Sequence, residues 1–420
     1  MSTERDGGAG TRDTQPMRIT DVVTYAVQPN GIPLVVAKVV TDQPGLHGWG
    51  CGTFTQRFRA VEAAIERHVK PFAIGRDAAA IADFWHSAMH DAYWRNGPVL
   101  NNAVSAVEMA LWDIKGRAAG LPCYQLWGGR SRGTAAVYVH ANGDDPQQVL
   151  DNALAMWEQG FRHIRCQLGG YPGVEAGAIG RTAGSFQDAG GTGSEFFVPG
   201  EKLRRIPDLF ATIREGLPEE AALLYDIHER LAPIDAIWLA KALEPYRLFF
   251  LEDALAPEDI AYFRNLRSQC ATPLAMGELF AHPLELQPLV EERLIDYVRM
   301  HVSTYGGITP ALRAANVCAT YGVRTAWHGP RDVSPIGMAA NVHMDLHLEN
   351  FGVQEWAFRS PEEEELFPGI PQVRDGVVDV EERPGWGIEM DEELAANYPC
   401  DDAASLRRVP RLADGTSRPY

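Results

Sequence analysis

The 420-residue sequence predicts an α/β protein: a (β/α)8 barrel carried behind a smaller α+β unit that caps it. Three observations predict this. Eight short apolar strands follow residue 133, and most neighbours leave room for one helix between them. The stretch before them pairs two strands with long helical patterning. Three of the later strands end in a carboxylic acid, at a constant spacing of 26 residues.

Taken in order, residues 1–16 are polar and glycine-rich, without the apolar core of a signal peptide, and read as a disordered tail. Residues 18–24 and 34–41 read as strands, and 45–52 as turn-rich punctuation. From Arg59 to Gly129 the apolar spacing is helical: Val61, Ala64, Ile65, Val69, then Ala103, Val104, Val107, Ala110, Leu111 and Ile114. The capping unit is therefore expected over 17–133, and the barrel over 134–356. Its strands are expected at 136–141, 163–167, 222–226, 248–252, 273–276, 294–299, 323–327 and 352–355. Between the second and third lie residues 169–200, ten of them glycine. A long irregular segment after a barrel strand predicts an active-site lid. Residues 357–420 lack barrel rhythm and are expected to return to the capping unit, with the acid run 362–365 a solvated surface.

The net charge of −18 argues against nucleic acid or an anionic membrane as partner. No apolar run reaches the roughly 20 residues that span a bilayer. Six cysteines show neither a CxxC pair nor metal-type spacing, which predicts reduced, packed thiols in a cytoplasmic protein.

The chemistry lies in the acids. Asp226, Glu252 and Glu278, one βα repeat apart, would stand at the same end of successive strands, on the face where barrels keep their sites. Three converging carboxylates repel one another unless a cation holds them, and an all-oxygen set suits Mg²⁺. His228, two residues after Asp226, would face the same pocket as an acid or base, and His328 would face it from the seventh strand. Arg165 ends the second strand and cannot act alone as a base, so it is an oxyanion or carboxylate binder. Arg299 and Glu355 close strands six and eight. Either could hold a polyhydroxy acid or form a structural ion pair.

The strings YWRNGPVLNNA (93–103), ALWDIKGRAAGLPCYQLWGG (110–129), HIRCQLG (163–169), DIHERL (226–231), GGITPAL (306–312), AWHGPRD (326–332) and QEW (354–356) carry a resemblance. The chain resembles the enolase superfamily, its mannonate dehydratase subgroup, and within that the starvation-sensing branch. The resemblance implies Mg²⁺ on Asp226, Glu252 and Glu278, with His228 in acid/base chemistry. It implies that His140, Glu278, Arg299, His328, Asp332 and Glu355 contact an acid sugar, with Thr55 where the subgroup has a substrate-binding Asn. The implied activity is dehydration of a six-carbon aldonate such as mannonate or gluconate to a 2-keto-3-deoxy acid, by a homo-oligomer. The sequence also departs from the subgroup. Active members place a Tyr on the long loop as the base beside the strand-two Arg, and residues 174–181 hold none; the nearest is Tyr171. Pro330 stands where efficient members have Ala. These departures leave a second reading, a sugar-acid binding or sensing protein with little turnover, and predict low activity on mannonate.

Overall fold

The structure is a computed structural model that describes residues 16–168, 199–229 and 231–402. The expected N-terminal tail and the lid, including Tyr171 and residues 174–181, fall almost wholly outside the described residues.

The capping unit opens with an antiparallel sheet of β1 (Ile19–Val27), β2 (Leu34–Thr41) and β3 (His47–Cys51). Helices α1 (Phe58–Ala64), α2 (Lys70–Ala73) and α3 (Ile81–Ala88) lead to the long α4 (Pro98–Ala119), followed by the short α5 (Cys123–Leu126). The segment 45–52, expected to be punctuation, contains a strand. Its alternate glycines are there for contact. A Cβ at Gly48, Gly50 or Gly52 would lie 2.2, 2.0 or 2.7 Å from the carbonyl oxygens of Ala110, Ala106 and Asn102. Two residues of strand and four of helix both advance about 6–7 Å, so every second strand position meets the next turn of α4. A strand made to admit a helix this closely has the composition of a turn.

Eight parallel strands form the barrel: β4 (Ala135–Gly143), β5 (His163–Leu168), β6 (Ala222–Asp226), β7 (Phe250–Glu252), β8 (Leu274–Met276), β9 (Tyr297–Val298), β10 (Arg324–Thr325) and β11 (Gln354–Glu355). β11 pairs with β4, and Thr325 bridges Phe351, which closes the ring. Between them run α6 (Pro146–Glu158), α7 (Pro199–Gly216), α8 (Pro233–Leu243), α9 (Ile260–Gln269), α10 (Pro283–Glu291), α11 (Ile308–Tyr321) and α12 (Pro335–His347). The inner plug includes Tyr138, Leu224, Phe250, Ala275, Tyr297, Ala326 and Val353, drawn from seven of the eight strands or their ends.

Among the contacts that fix cap against barrel are one at the start of α11 and others along the C-terminal segment. Gly307 offers no side chain to the start of α11, and the fully buried Glu108 of α4 takes that role, accepting from the backbone N–H groups of Ile308 and Thr309, both at 2.8 Å. The C-terminal segment then spans both units. A hairpin, β12 (Val373–Arg374) and β13 (Val377–Val378), adds to β4 of the barrel. Beyond it, Trp386 donates its backbone N–H to Asp113 at 2.8 Å, Glu389 pairs with Arg117, and Glu392 bonds Tyr25 and Lys38. The acid run 362–365 is not all solvated. Glu363 is buried in a capping box at the start of α13 (Pro361–Leu366), beside Arg359. Among the described residues no helix is long and apolar enough to cross a membrane.

Candidate active site

β6 and β7 are paired in register so that Asp226 lies beside Glu252 at the carboxyl end of the sheet. Both are buried. Asp226 accepts from Arg165 on β5 at 2.9 Å and lies 2.8 Å from His228 Nε2. His228 does not arrive by strand alternation, as expected from its i+2 position. The strand ends at Asp226, and a left-handed turn (φ 52° at His228, 55° at Glu229) brings the imidazole back over it, with the His228 N–H donating to Asp226 Oδ1 at 2.8 Å. Left-handed backbone at a residue other than glycine carries a strain cost, and the bonds to Asp226 hold His228 in it.

Glu252 accepts from Arg299 Nε through Oε1, while its Oε2 is buried with no hydrogen-bond partner. Arg299 is wholly buried and also donates to Glu355 at 2.7 Å. Glu355 in turn is 2.8 Å from His140 Nε2, and His140 Nδ1 is 3.4 Å from Arg165. His140, Arg165, Asp226, Glu252, Arg299 and Glu355 thus form one connected ring, in which the acids Asp226 and Glu252 stand side by side.

Glu278 lies just past β8, with Oε1 3.9 Å from His228 and Oε2 3.0 Å from His328 Nδ1. The sequence offers His328 no evident orienting partner. The structure supplies three acids: Glu278, Asp332 at 3.3 Å from Nε2, and Glu355 at 3.6 Å from Nδ1. Asp332, expected to touch a sugar, therefore also holds a histidine. Thr55 stands apart. Its hydroxyl donates to the Pro33 carbonyl at 3.3 Å, and among the described residues no hydrogen bond ties it to the barrel ring.

Three further groups escaped the sequence reading: Glu229, Asp253 and His301, whose ring centre is 5.2 Å from that of His328. Burial drives the His301 pKa down to about 4, with charged His328 adding to the effect.

The electrostatics favour a cation. Burial opposes ionisation of Asp226, yet His228 and Arg165 hold it below the ordinary carboxylate range. Burial pushes Glu252 up, Arg299 pulls it part of the way back, and Asp226 and Glu355 add to the rise. Asp253 is raised by burial and by Glu278, Glu252 and Glu229. A site with this many buried acids must take up protons or a metal. The orphaned Glu252 Oε2 and the all-oxygen donor set fit a hard divalent ion.

A family model described as Enolase C-terminal domain-like matches residues 148–394, and one described as Mandelate racemase / muconate lactonizing enzyme, N-terminal domain, matches residues 12–128. The chain is 48% identical over 408 residues to the D-galactonate dehydratase family member RspA of Pantoea ananatis, across 95% of this chain and 98% of that one. A D-galactonate dehydratase family member of Enterocloster bolteae is 45% identical over 399 residues, with 95% and 98% covered. Among solved structures, an enolase from Pantoea ananatis with bound D-gluconate and Mg matches at a TM-score of 0.89 and 47% identity, over 96% of this chain and 99% of that one.

Proposed function

The chain belongs to the enolase superfamily, and on that premise we propose that it is a Mg²⁺-dependent dehydratase of a six-carbon aldonate of the gluconate or mannonate type. The observation that carries this is the buried pair Asp226 and Glu252, in register and with Glu252 Oε2 unpartnered, beside Glu278. Asp226, Glu252 and Glu278 would hold the ion. Bound there, Mg²⁺ supplies positive charge against the negative charge that develops on the acid's carboxylate when its α-proton leaves.

The protein's own groups do the rest. Arg165 and Arg299 are fixed by Asp226, Glu252 and Glu355, so their charges are aligned before substrate arrives. His228, held by Asp226 and near Glu278, is placed to protonate the departing 3-hydroxyl so that it leaves as water. His328 is kept protonated, because Glu278 and Asp332 outweigh the effect of burial, and in that state it donates to substrate oxygens. His140, Asp332, Glu355 and Thr55 would complete the sugar site. The relative bound to D-gluconate and Mg supports this substrate class. Six free cysteines, five of them buried, fit a reducing cytoplasm, and a homo-oligomer is the expected assembly.

Incubation with Mg²⁺ and a panel of aldonates, assayed for 2-keto-3-deoxy acids, tests the reading. At least one aldonate should be dehydrated, and neither EDTA-treated protein nor Glu252→Gln should turn it over. No product from any six-carbon aldonate overturns the assignment.

A further inference from the structure

Asp253 directly follows Glu252, and consecutive residues of an extended strand point to opposite faces. Asp253 should therefore leave the site that Glu252 enters. The backbone prevents this: φ is 41° at Asp253, its N–H donates to Ala275, and its carbonyl accepts from Glu229. The turn places one oxygen each of Asp226, Glu252 and Asp253 within 4.8 Å of one another. Asp253 is 1% exposed, and neither carboxylate oxygen has a hydrogen-bond partner. Its neighbours each have a cation: Asp226 has Arg165 and His228, and Glu252 has Arg299. Among the described residues no Lys, Arg or His pairs with Asp253. Left-handed backbone at a residue other than glycine and a buried acid without a partner are both costly. Their coincidence beside two metal-type acids points to a missing cationic partner.

We infer that Asp253 is a fourth carboxylate of the divalent-cation site, accepting hydrogen bonds from water carried by the ion and so fixing its hydration and position. Mg²⁺ keeps several of its waters in protein sites, and such outer partners steady it. Asp253 is then a positioning residue, and its role rests on the Mg²⁺ reading given above.

Calorimetric titration of the full chain with MgCl₂ alone separates the two ideas. Wild type should bind, Glu252→Gln should not, and Asp253→Asn should bind about 10- to 100-fold more weakly. With Mn²⁺ as probe, the water-proton relaxation enhancement per bound ion should change in Asp253→Asn. If the Asn variant does not fold, Asp253→Ser takes its place with the same expectations. Failure of wild type to bind Mg²⁺ sinks the metal reading itself. Wild-type binding with Asp253→Asn or Asp253→Ser within twofold of it overturns only the role of Asp253.

Discussion

Arg165 and Asp226, on adjacent barrel strands, meet at 2.9 Å with both side chains buried. Removing one partner from such a pair leaves an uncompensated charge and costs roughly 3–5 kcal/mol. Arg165→Met should lower the unfolding free energy of metal-free protein by about that amount in urea. Saturating Mg²⁺ should return much of the loss, since Asp226 regains a cation. An equal loss with and without Mg²⁺ would mean that Asp226 does not face the ion.

His228 is bound to Asp226 through both its backbone N–H and its imidazole. His228→Asn should abolish detectable dehydration while Mg²⁺ affinity, read by calorimetry, stays within a few-fold. Retained turnover would remove the histidine from the chemistry.

Turnover with mannonate should be low. A general base contributes roughly 10²- to 10⁴-fold, and residues 174–181 lack the Tyr that the resemblance to the mannonate dehydratase subgroup implies as that base. His328 is oriented by Asp332 and Glu278, but the same acids keep it protonated, which suits an acid and not a base. Steady-state kinetics decide: kcat/KM with mannonate of about 10⁴ M⁻¹s⁻¹ or more, ordinary for an evolved enzyme, contradicts the expectation.

Away from the site, His343 sits between the Tyr124 N–H, which donates to its Nδ1 at 3.3 Å, and the Trp386 carbonyl, 3.2 Å from its Nε2. Burial lowers its pKa to about 4. The unfolded chain, with a histidine pKa of about 6.5, takes up the proton first as pH falls. Stability is therefore full above about pH 6.5 and is lost down to about pH 4, by about 3 kcal/mol from this residue. His343→Gln, which can keep both bonds, should flatten the urea-unfolding free energy between pH 6.5 and 4 by up to one proton; an unchanged slope rules out this origin.

The barrel was legible because its strands are buried on both faces and read as short apolar runs, and because one βα repeat imposes a regular interval on Asp226, Glu252 and Glu278. The ring partners Arg165, Arg299 and Glu355 were legible as strand ends, although not who pairs with whom. What escaped reading depends on contacts distant in sequence or on turns that break alternation. β3 looks like loop because α4 demands glycine at Gly48, Gly50 and Gly52. Asp253 and His228 enter the pocket only because φ is positive at each. The hold of Asp332 on His328 depends on a loop shape no spacing encodes.

The contact between Asp113 and Trp386 joins residues 273 positions apart. During synthesis at about 5–20 residues per second, Trp386 is made roughly 14–55 s after Asp113. Until then Asp113 Oδ1 lacks the Trp386 N–H, and the carbonyls of Trp49 and Met109 lack the Trp386 indole that bonds them both. The capping unit, translated before the barrel, is thus completed only after it.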